Sequence, residues 1–550
     1  MLALSLPFFA IIPVLIAVFL YVFAGLKHAR IIAVVAQTAF VALAFSLLLA
    51  VRDGEIITRV GGYEGYLGII LRVDTLAAVF ILLTVAIFLA VVIYNLRSEY
   101  DHTGRLYWFL LFILEGVLIG LFLTRDFFNV FVLVEVSTVV VVILLMYDRK
   151  RRNLFAGMTF IMINIVVMQF YLFGLGYLYM VTGVMDMEAA AGVIATMDNS
   201  DLVLPFALIM TSVAAKCSLF PLLTWLPKVN SLTGSRFTIA AIMSGLHVKS
   251  GIYLFIRFTD VFGGMGSEFF LVVGLVTAVA GVVLALAQKD IRLMLAYSTV
   301  AQAGLIIAGV SLGDEVSFSL YNVYSDMGAL LHIVNHALIK VALFLAAGMI
   351  SYRYKTTNID KIRGLYFISP RIAIANMLAI LGIVGAPFFN GFVSKYFIAY
   401  GADGALGWAF IVVNFGTVLV FVRYSAIFFG RPLGAVKTTP PPDWCRLAVV
   451  MGLGVCCMLL GVFGPVVARF LFERPVGDAS AVSFTIEAWG YLEKSLIFVL
   501  SFGIGVLAYR YVPVAKKLAD PLRGLQLSFK VMCLSIGVFF ALLLVVVGVL

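Results

Sequence analysis

The stretch ALLHIVNHALIKVALFLAAG, residues 329–348, decides the fold class, because it sets three titratable side chains in a run otherwise fit for hydrocarbon. His332, His336 and Lys340 recur every four residues, a spacing that stacks them on one stripe of a helix while Leu, Ile, Val and Phe cover the rest. A helix of this kind belongs in a membrane and carries a proton-binding line through it.

Composition extends that reading to the whole chain. Its 550 residues are 63% hydrophobic and 12% charged, against roughly 45–50% and 25% in an ordinary soluble domain. Runs long enough to span a bilayer recur, among them ALSLPFFAIIPVLIAVFLYVFAG, DTLAAVFILLTVAIFLAVVIYNL and LSIGVFFALLLVVVGVL. The pattern predicts an all-α polytopic membrane protein with about fourteen to sixteen transmembrane helices. The longest loops, GRPLGAVKTTPPPDWCR and GVMDMEAAAGVIATMDNSD, are too short to bury a core of their own. No basic region precedes the first apolar run, which reads as a retained helix and not a cleaved signal.

The net charge of +10 does not point to nucleic acid. If helices alternate from an outside N-terminus, the loops LKHAR, RSEYDHTGR, DRKRRN, QKDIR, SYRYKTTNIDKIRG, GRPLGAVK and YRYVPVAKKLADPLRG, with Lys228 and Arg236 in another, share one side and hold most of the Lys and Arg. That bias places them in the cytoplasm of a prokaryotic cell membrane, with both termini outside. The positive charge is topology, and the lipid bilayer is the first partner. Five cysteines, Cys217, Cys445, Cys456, Cys457 and Cys533, form no CxxC or Cys/His cluster. No Walker loop or strand-borne GxGxxG is present. The sequence therefore offers no cofactor or metal site, and energy must arrive from a gradient or a partner.

Besides the stripe, Glu115, Glu135, Lys216, Lys249 and Lys395 lie inside expected spans. Each such charge costs about 2.5–3.5 kcal/mol on insertion scales, so a chain that keeps several is expected to use them. A buried lysine loses its proton readily, and a nearby carboxylate restores it, which makes such a pair a proton switch. Plainer readings stand beside this one. Lys249, near Arg257, can snorkel to the headgroups; Glu115 can serve a packing contact; either histidine alone can be a satisfied interior residue. Lys216 and Lys395 are harder to explain away, since Pro221 follows the first by five residues and Pro387 precedes the second by eight, and broken helices at membrane depth line cavities or pack inside protein.

Helix order suggests four segments: 1–105 with helices one to three, 106–260 with helices four to eight, 268–430 with helices nine to thirteen, and 431–550 with the C-terminal spans. The two central segments each have five helices, an odd number, and each has a lysine on its fourth. They read as inverted repeats with broken helices, an architecture of ion transporters.

The segment DFFNVFVLVEVSTVVVVILL resembles the fifth helix of the antiporter-like subunits shared by respiratory complex I, Mrp-type cation/proton antiporters and membrane-bound hydrogenases, with Glu135 on their acidic position. KCSLFPLLTWLP is similar to their seventh helix, giving Lys216, and SGLHVKSGIYLFIRF to the eighth, giving Lys249. KDIRLMLAYSTVAQAG resembles the ninth-to-tenth connection and tenth helix, HIVNHALIKVALFLAAG the eleventh, and GAPFFNGFVSK the twelfth, giving Lys395. The matches run in family order from about residue 110 to 400. KVNSLTGSRFT departs from the family's usual loop after WLP, GAPFFNGF has one proline where two are common, and YVPVAKKLADPLRG is too short for the long lateral helix of the largest complex I type.

The resemblance implies that Glu135 pairs with Lys216 and holds its proton until a partner subunit changes the local field. The proton then passes through Lys249, His332, His336 and Lys340 to Lys395. It implies other membrane subunits as partners, protons as cargo with sodium as a further candidate, and redox chemistry, where present, on a hydrogenase or quinone-reducing partner. A stand-alone proton-coupled transporter is the alternative, and it predicts activity from this chain alone. The topology is open to test: cysteines introduced at Lys150 and Lys355 should resist a membrane-impermeant label in intact cells while residues 190–200 react, and the reverse pattern overturns the orientation.

Overall fold

A computed structural model gives the fold, and residues 2–23, 28–60, 68–96, 104–232, 237–313, 320–400, 402, 404–431, 443–472, 486, 488–511 and 528–549 are described. The expected cytoplasmic loops RSEYDHTGR, GRPLGAVK and YRYVPVAKKLADPLRG lie mostly outside the described residues, as do Leu26 and Lys27 of LKHAR and Arg236.

In chain order the helices are α1 (Leu2–Val22), α2 (Ala29–Val51), α3 (Thr75–Asn95), α4 (Arg105–Leu123), α5 (Phe127–Met146), α6 (Arg151–Thr182), α7 (Met187–Ile194), α8 (Asn199–Lys216) and α9 (Trp225–Leu232). Then come α10 (Phe237–Ile242), running through a π-helical turn (Met243–His247) into α11 (Val248–Val261), and α12 (Ser267–Ala287), α13 (Ile291–Gly313) and α14 (Leu320–Tyr354). The last are α15 (Leu365–Ile368), α16 (Pro370–Val384), α17 (Asn390–Tyr400), α18 (Gly404–Ser425), α19 (Trp444–Val462), α20 (Gly464–Phe472), α21 (Ala488–Tyr511) and α22 (Phe529–Val549). One antiparallel hairpin, β1 (Ile56–Arg59) with β2 (Ile70–Val73), pairs Ile56 with Val73.

Among the described residues thirteen helices are long and apolar enough to cross a membrane, by length and composition. With α1 and the broken pairs α8/α9 and α16/α17, the helix order reaches the upper end of the expected range. Glu135 then lies on the fifth crossing, Lys216 on the seventh, Lys249 on the eighth, the His/His/Lys stripe on the eleventh and Lys395 on the twelfth.

Packing divides the chain into two units: Met1–Cys217, Ser250–Gly266 and Ser528–Leu550, and Ser218–Lys249 with Ser267–Leu527. In the first, aspartates cap α3, α5 and α7. Asp74 caps α3 by accepting from Ala77 N (2.9 Å), and Asp126 caps α5 by accepting from Asn129 N (2.6 Å). Asp74 also meets Arg257 at 2.5 Å and Arg125 at 3.2 Å, and Arg125 donates to the Tyr253 hydroxyl at 2.8 Å. In the second unit α12 and α13 approach so closely that a Cβ on Gly281 would lie 2.5 Å from Ala301 N, and one on Gly304 2.5 Å from Gly274 O. Small residues permit backbone contact of this kind between membrane helices.

Burial alone would push the Asp74 carboxyl up, but the Arg257 and Arg125 guanidinium groups hold it well below the usual carboxylate range. Its stabilisation is therefore complete above the ordinary carboxylate pKa, near 4, and is lost only as pH falls through the depressed folded-state value. Asp74→Asn leaves two buried guanidinium groups without a counter-charge and should cost about 3–5 kcal/mol, read as a lowered unfolding temperature in detergent at neutral pH; an unchanged temperature would mean that the cluster is not structural.

Candidate functional site

In the first unit α8 stops at Lys216, because Ser218 adopts a left-handed conformation (φ 59°) and Pro221 follows. The lysine is only 7% exposed, and Gly251 packs so tightly on it that a Cβ there would lie 2.9 Å from the Lys216 carbonyl carbon. Its Nζ donates to Thr138 Oγ1 on α5 (3.1 Å) and to Asn164 Oδ1 on α6 (2.6 Å). Glu135 lies one helical turn before Thr138 and is half-buried. The Glu135 and Lys216 charges act on each other, yet among the described residues no ion pair joins them. The structure thus holds the two groups of the expected switch near one another but apart, with the ammonium on neutral oxygens.

Glu115 stands separately on α4. Its buried partner is Gln37 on α2, whose Nε2 donates to Glu115 Oε1 at 2.5 Å. No hydrogen bond or ion pair among the described residues links Glu115 to Glu135 or Lys216.

In the second unit His332, His336, Lys340 and Lys249 are all 0% exposed, and Lys395 is 6% exposed. Snorkelling is therefore excluded for Lys249; its Nζ donates to Ser244 O (2.7 Å) inside the π-helical turn. That widened turn departs from the i→i−4 ladder, a device frequent at functional sites. On α14 the two imidazoles stack, centroids 5.9 Å apart and planes at 17°. His332 Nε2 meets Gln302 Oε1 on α13 at 2.9 Å, and its Nδ1 meets Ser394 Oγ on α17 at 2.8 Å. Gln302 in turn donates to Thr417 Oγ1 on α18 at 3.1 Å, so one hydrogen-bonded row crosses four helices. Neither ring nitrogen of His336 has a hydrogen-bond partner among the described residues, and the charges of Lys249, Lys340 and Lys395 all act on it.

Lys340 Nζ donates to Leu295 O (2.9 Å) and to Ser298 Oγ, with the Phe421 ring centroid 5.9 Å away. Lys395 Nζ donates to Ile383 O (2.8 Å) in the last turn of α16, where Gly385 in a left-handed conformation (φ 74°) ends the helix. Carbonyls at a helix C-terminus are unpaired within the helix and carry the negative end of its dipole, a place suited to an ammonium.

Among the described residues no carboxylate forms an ion pair with any of these lysines, and no group of His, Cys, Asp and Glu gathers to hold a metal ion. Like charges without counter-ions disfavour one another. Every charged residue expected from the sequence is buried or half-buried. Sequence reasoning misses the uncharged partners Thr138, Asn164, Ser298, Gln302, Ser394 and Thr417, whose signal is a single polar residue inside an apolar run.

Residues 124–420 match the family described as NADH:quinone oxidoreductase/Mrp antiporter, TM. The chain is 31% identical over 466 residues to the NADH-quinone oxidoreductase subunit N of Desulforudis audaxviator, covering 80% of this chain and 90% of that protein. It is 29% identical over 403 residues to a Na(+)/H(+) antiporter subunit of Alkalihalophilus pseudofirmus, covering 71% and 79%. A chain in the solved Mrp complex from a Dietzia species superposes with a TM-score of 0.78 at 23% identity, over 92% of this chain and 100% of that one, and so shares the fold. With more than half of its residues in the family match and a relative at 31% identity over 80% of its length, this chain belongs to the NADH:quinone oxidoreductase/Mrp antiporter transmembrane family.

Proposed function

We propose that the chain is the proton-translocating, antiporter-like subunit of a multisubunit membrane complex, and that its buried lysines and histidines carry the protons. The observation that carries this reading is the second unit's set of buried bases, whose lysines rest on carbonyl and hydroxyl oxygens without a counter-ion. Groups held in this way are poised to gain and lose protons, whereas a structural lysine at this depth would be locked to an acid.

In the first unit Glu135 and Lys216 form the switch. With the carboxylate close, the ammonium keeps its proton; when a partner subunit's field separates them, Lys216 falls back on Thr138 and Asn164 and releases it. In the second unit the charges on Lys249, Lys340 and Lys395 all reach His336, so a proton arriving at one base drives off another. Lys395, with Lys494, Tyr396, Asn414 and Ser501, lines a cavity of about 90 Å³, the exchange point for that set. Sodium, which the name of the Alkalihalophilus relative carries with protons, is the second candidate cargo. Relatives named as subunits support a partnered role over a stand-alone transporter. Two inverted repeats, 106–260 and 268–430, in a prokaryotic cell membrane with the N-terminus outside, complete the proposal.

Four variants test the switch through proton transport in vesicles holding the assembled complex. Glu135→Gln should lower transport by about tenfold or more, Glu135→Asp less, and Lys216→Ala at least as much as Glu135→Gln, all with normal assembly. Glu135→Gln with Lys216→Ala should do little worse than the worse single change, because residues that act as a unit are non-additive. Clean additivity would show two independent residues and end the switch.

A further inference from the structure

The Glu115 carboxyl, outside both sets, is fully buried at mid-helix in α4, opposite an equally buried Gln37. Gln37 Nε2 donates to Glu115 Oε1 (2.5 Å) and to Val85 O on α3 (3.3 Å), so one side chain bridges α2, α3 and α4. Two oxygens are left over. Glu115 Oε2 and Gln37 Oε1 are both buried and have no hydrogen-bond partner among the described residues.

An ionised carboxylate and an amide oxygen are acceptors only, so these two cannot satisfy each other. Turning the amide over does not help, since it would set the Gln37 oxygen against Glu115 Oε1 and the Val85 carbonyl, two further acceptors. One proton on Glu115 Oε2 resolves both at once: the new O–H donates to Gln37 Oε1 and closes a reciprocal pair with the Gln37 N–H.

Among the described residues the surroundings offer no alternative counter-charge. The residues of α1 and α3 include no charged side chain, only Tyr21 and Tyr94; α2 contributes Arg30 and α4 Arg105 with Tyr107, each near a helix start; β2 contributes Arg72, which pairs with Glu55 and Glu188; and α5 contributes Glu135. None of them acts on the Glu115 carboxyl, whose one partner is Gln37. A bare charge at this depth costs about 2.5–3.5 kcal/mol on insertion scales, and two unsatisfied acceptors would add to that cost.

We propose that Glu115 is a proton-binding site separate from the lysine sets, holding its proton as a neutral carboxylic acid in a reciprocal hydrogen-bonded pair with Gln37. The proton ties α2 to α4, and its loss would leave two buried acceptors without donors beside an uncompensated charge. The inference does not depend on the transport reading.

Infrared spectroscopy of the purified protein at neutral pH tests it. The wild type should show a protonated-carboxyl stretch that Glu115→Gln lacks, and Glu115→Gln should unfold at the wild-type temperature, because its amide N–H reproduces the donated bond to Gln37 Oε1. In Gln37→Leu the stretch should persist but move to higher frequency, having lost its hydrogen-bonded partner. Absence of any protonated-carboxyl difference between wild type and Glu115→Gln overturns the proposal, as does an unshifted band in Gln37→Leu or a clearly lowered unfolding temperature in Glu115→Gln.

Discussion

A lysine ammonium at membrane depth must be compensated by its surroundings, and the kind of compensation decides what the lysine can do. A carboxylate locks the proton in place; neutral oxygens lower its cost only in part and leave it exchangeable. This chain uses both solutions and keeps them apart. Arg257 and Arg125 are locked to Asp74 at the start of α3, where they hold structure together. Lys216, Lys249, Lys340 and Lys395 are given hydroxyl, amide and carbonyl oxygens instead.

Supplying those oxygens inside a bilayer is difficult, because a regular helix consumes its own carbonyls. The fold meets this with local irregularities at the sites. The break after Val384 exposes the last turn of α16, where Ile383 O receives Lys395. A π-helical turn presents Ser244 O to Lys249. Lys216 is itself the last residue of α8, next to the break at Ser218, and reaches across to α5 and α6. Irregular backbone at membrane depth persists where it is enclosed by protein, as here.

Much of this is legible in the sequence because charged residues in hydrocarbon are rare and conspicuous. The stripe at His332, His336 and Lys340, and the prolines beside Lys216 and Lys395, carry both the architecture and the site. The partners are hidden because a single Ser, Thr, Asn or Gln in an apolar run is cheap enough to be common, so Gln302 or Asn164 stands out little from any other span residue. Arg257 marks, from sequence alone, the headgroup end of its helix, whereas its partner is Asp74, 183 positions earlier; a contact at that separation leaves no local trace. The π-helical turn likewise has no proline to mark it.

The proposal that Lys249, Lys340 and Lys395 work because no carboxylate pairs with them is reached most directly at Ser298, which accepts from Lys340. Proton transport should be measured in vesicles for Ser298→Asp and Ser298→Ala, with assembly checked in each. A fixed carboxylate beside Lys340 should pin its proton and lower transport by about tenfold or more, while Ser298→Ala, which adds no charge, should lose much less. Full transport in a correctly assembled Ser298→Asp variant would contradict the account.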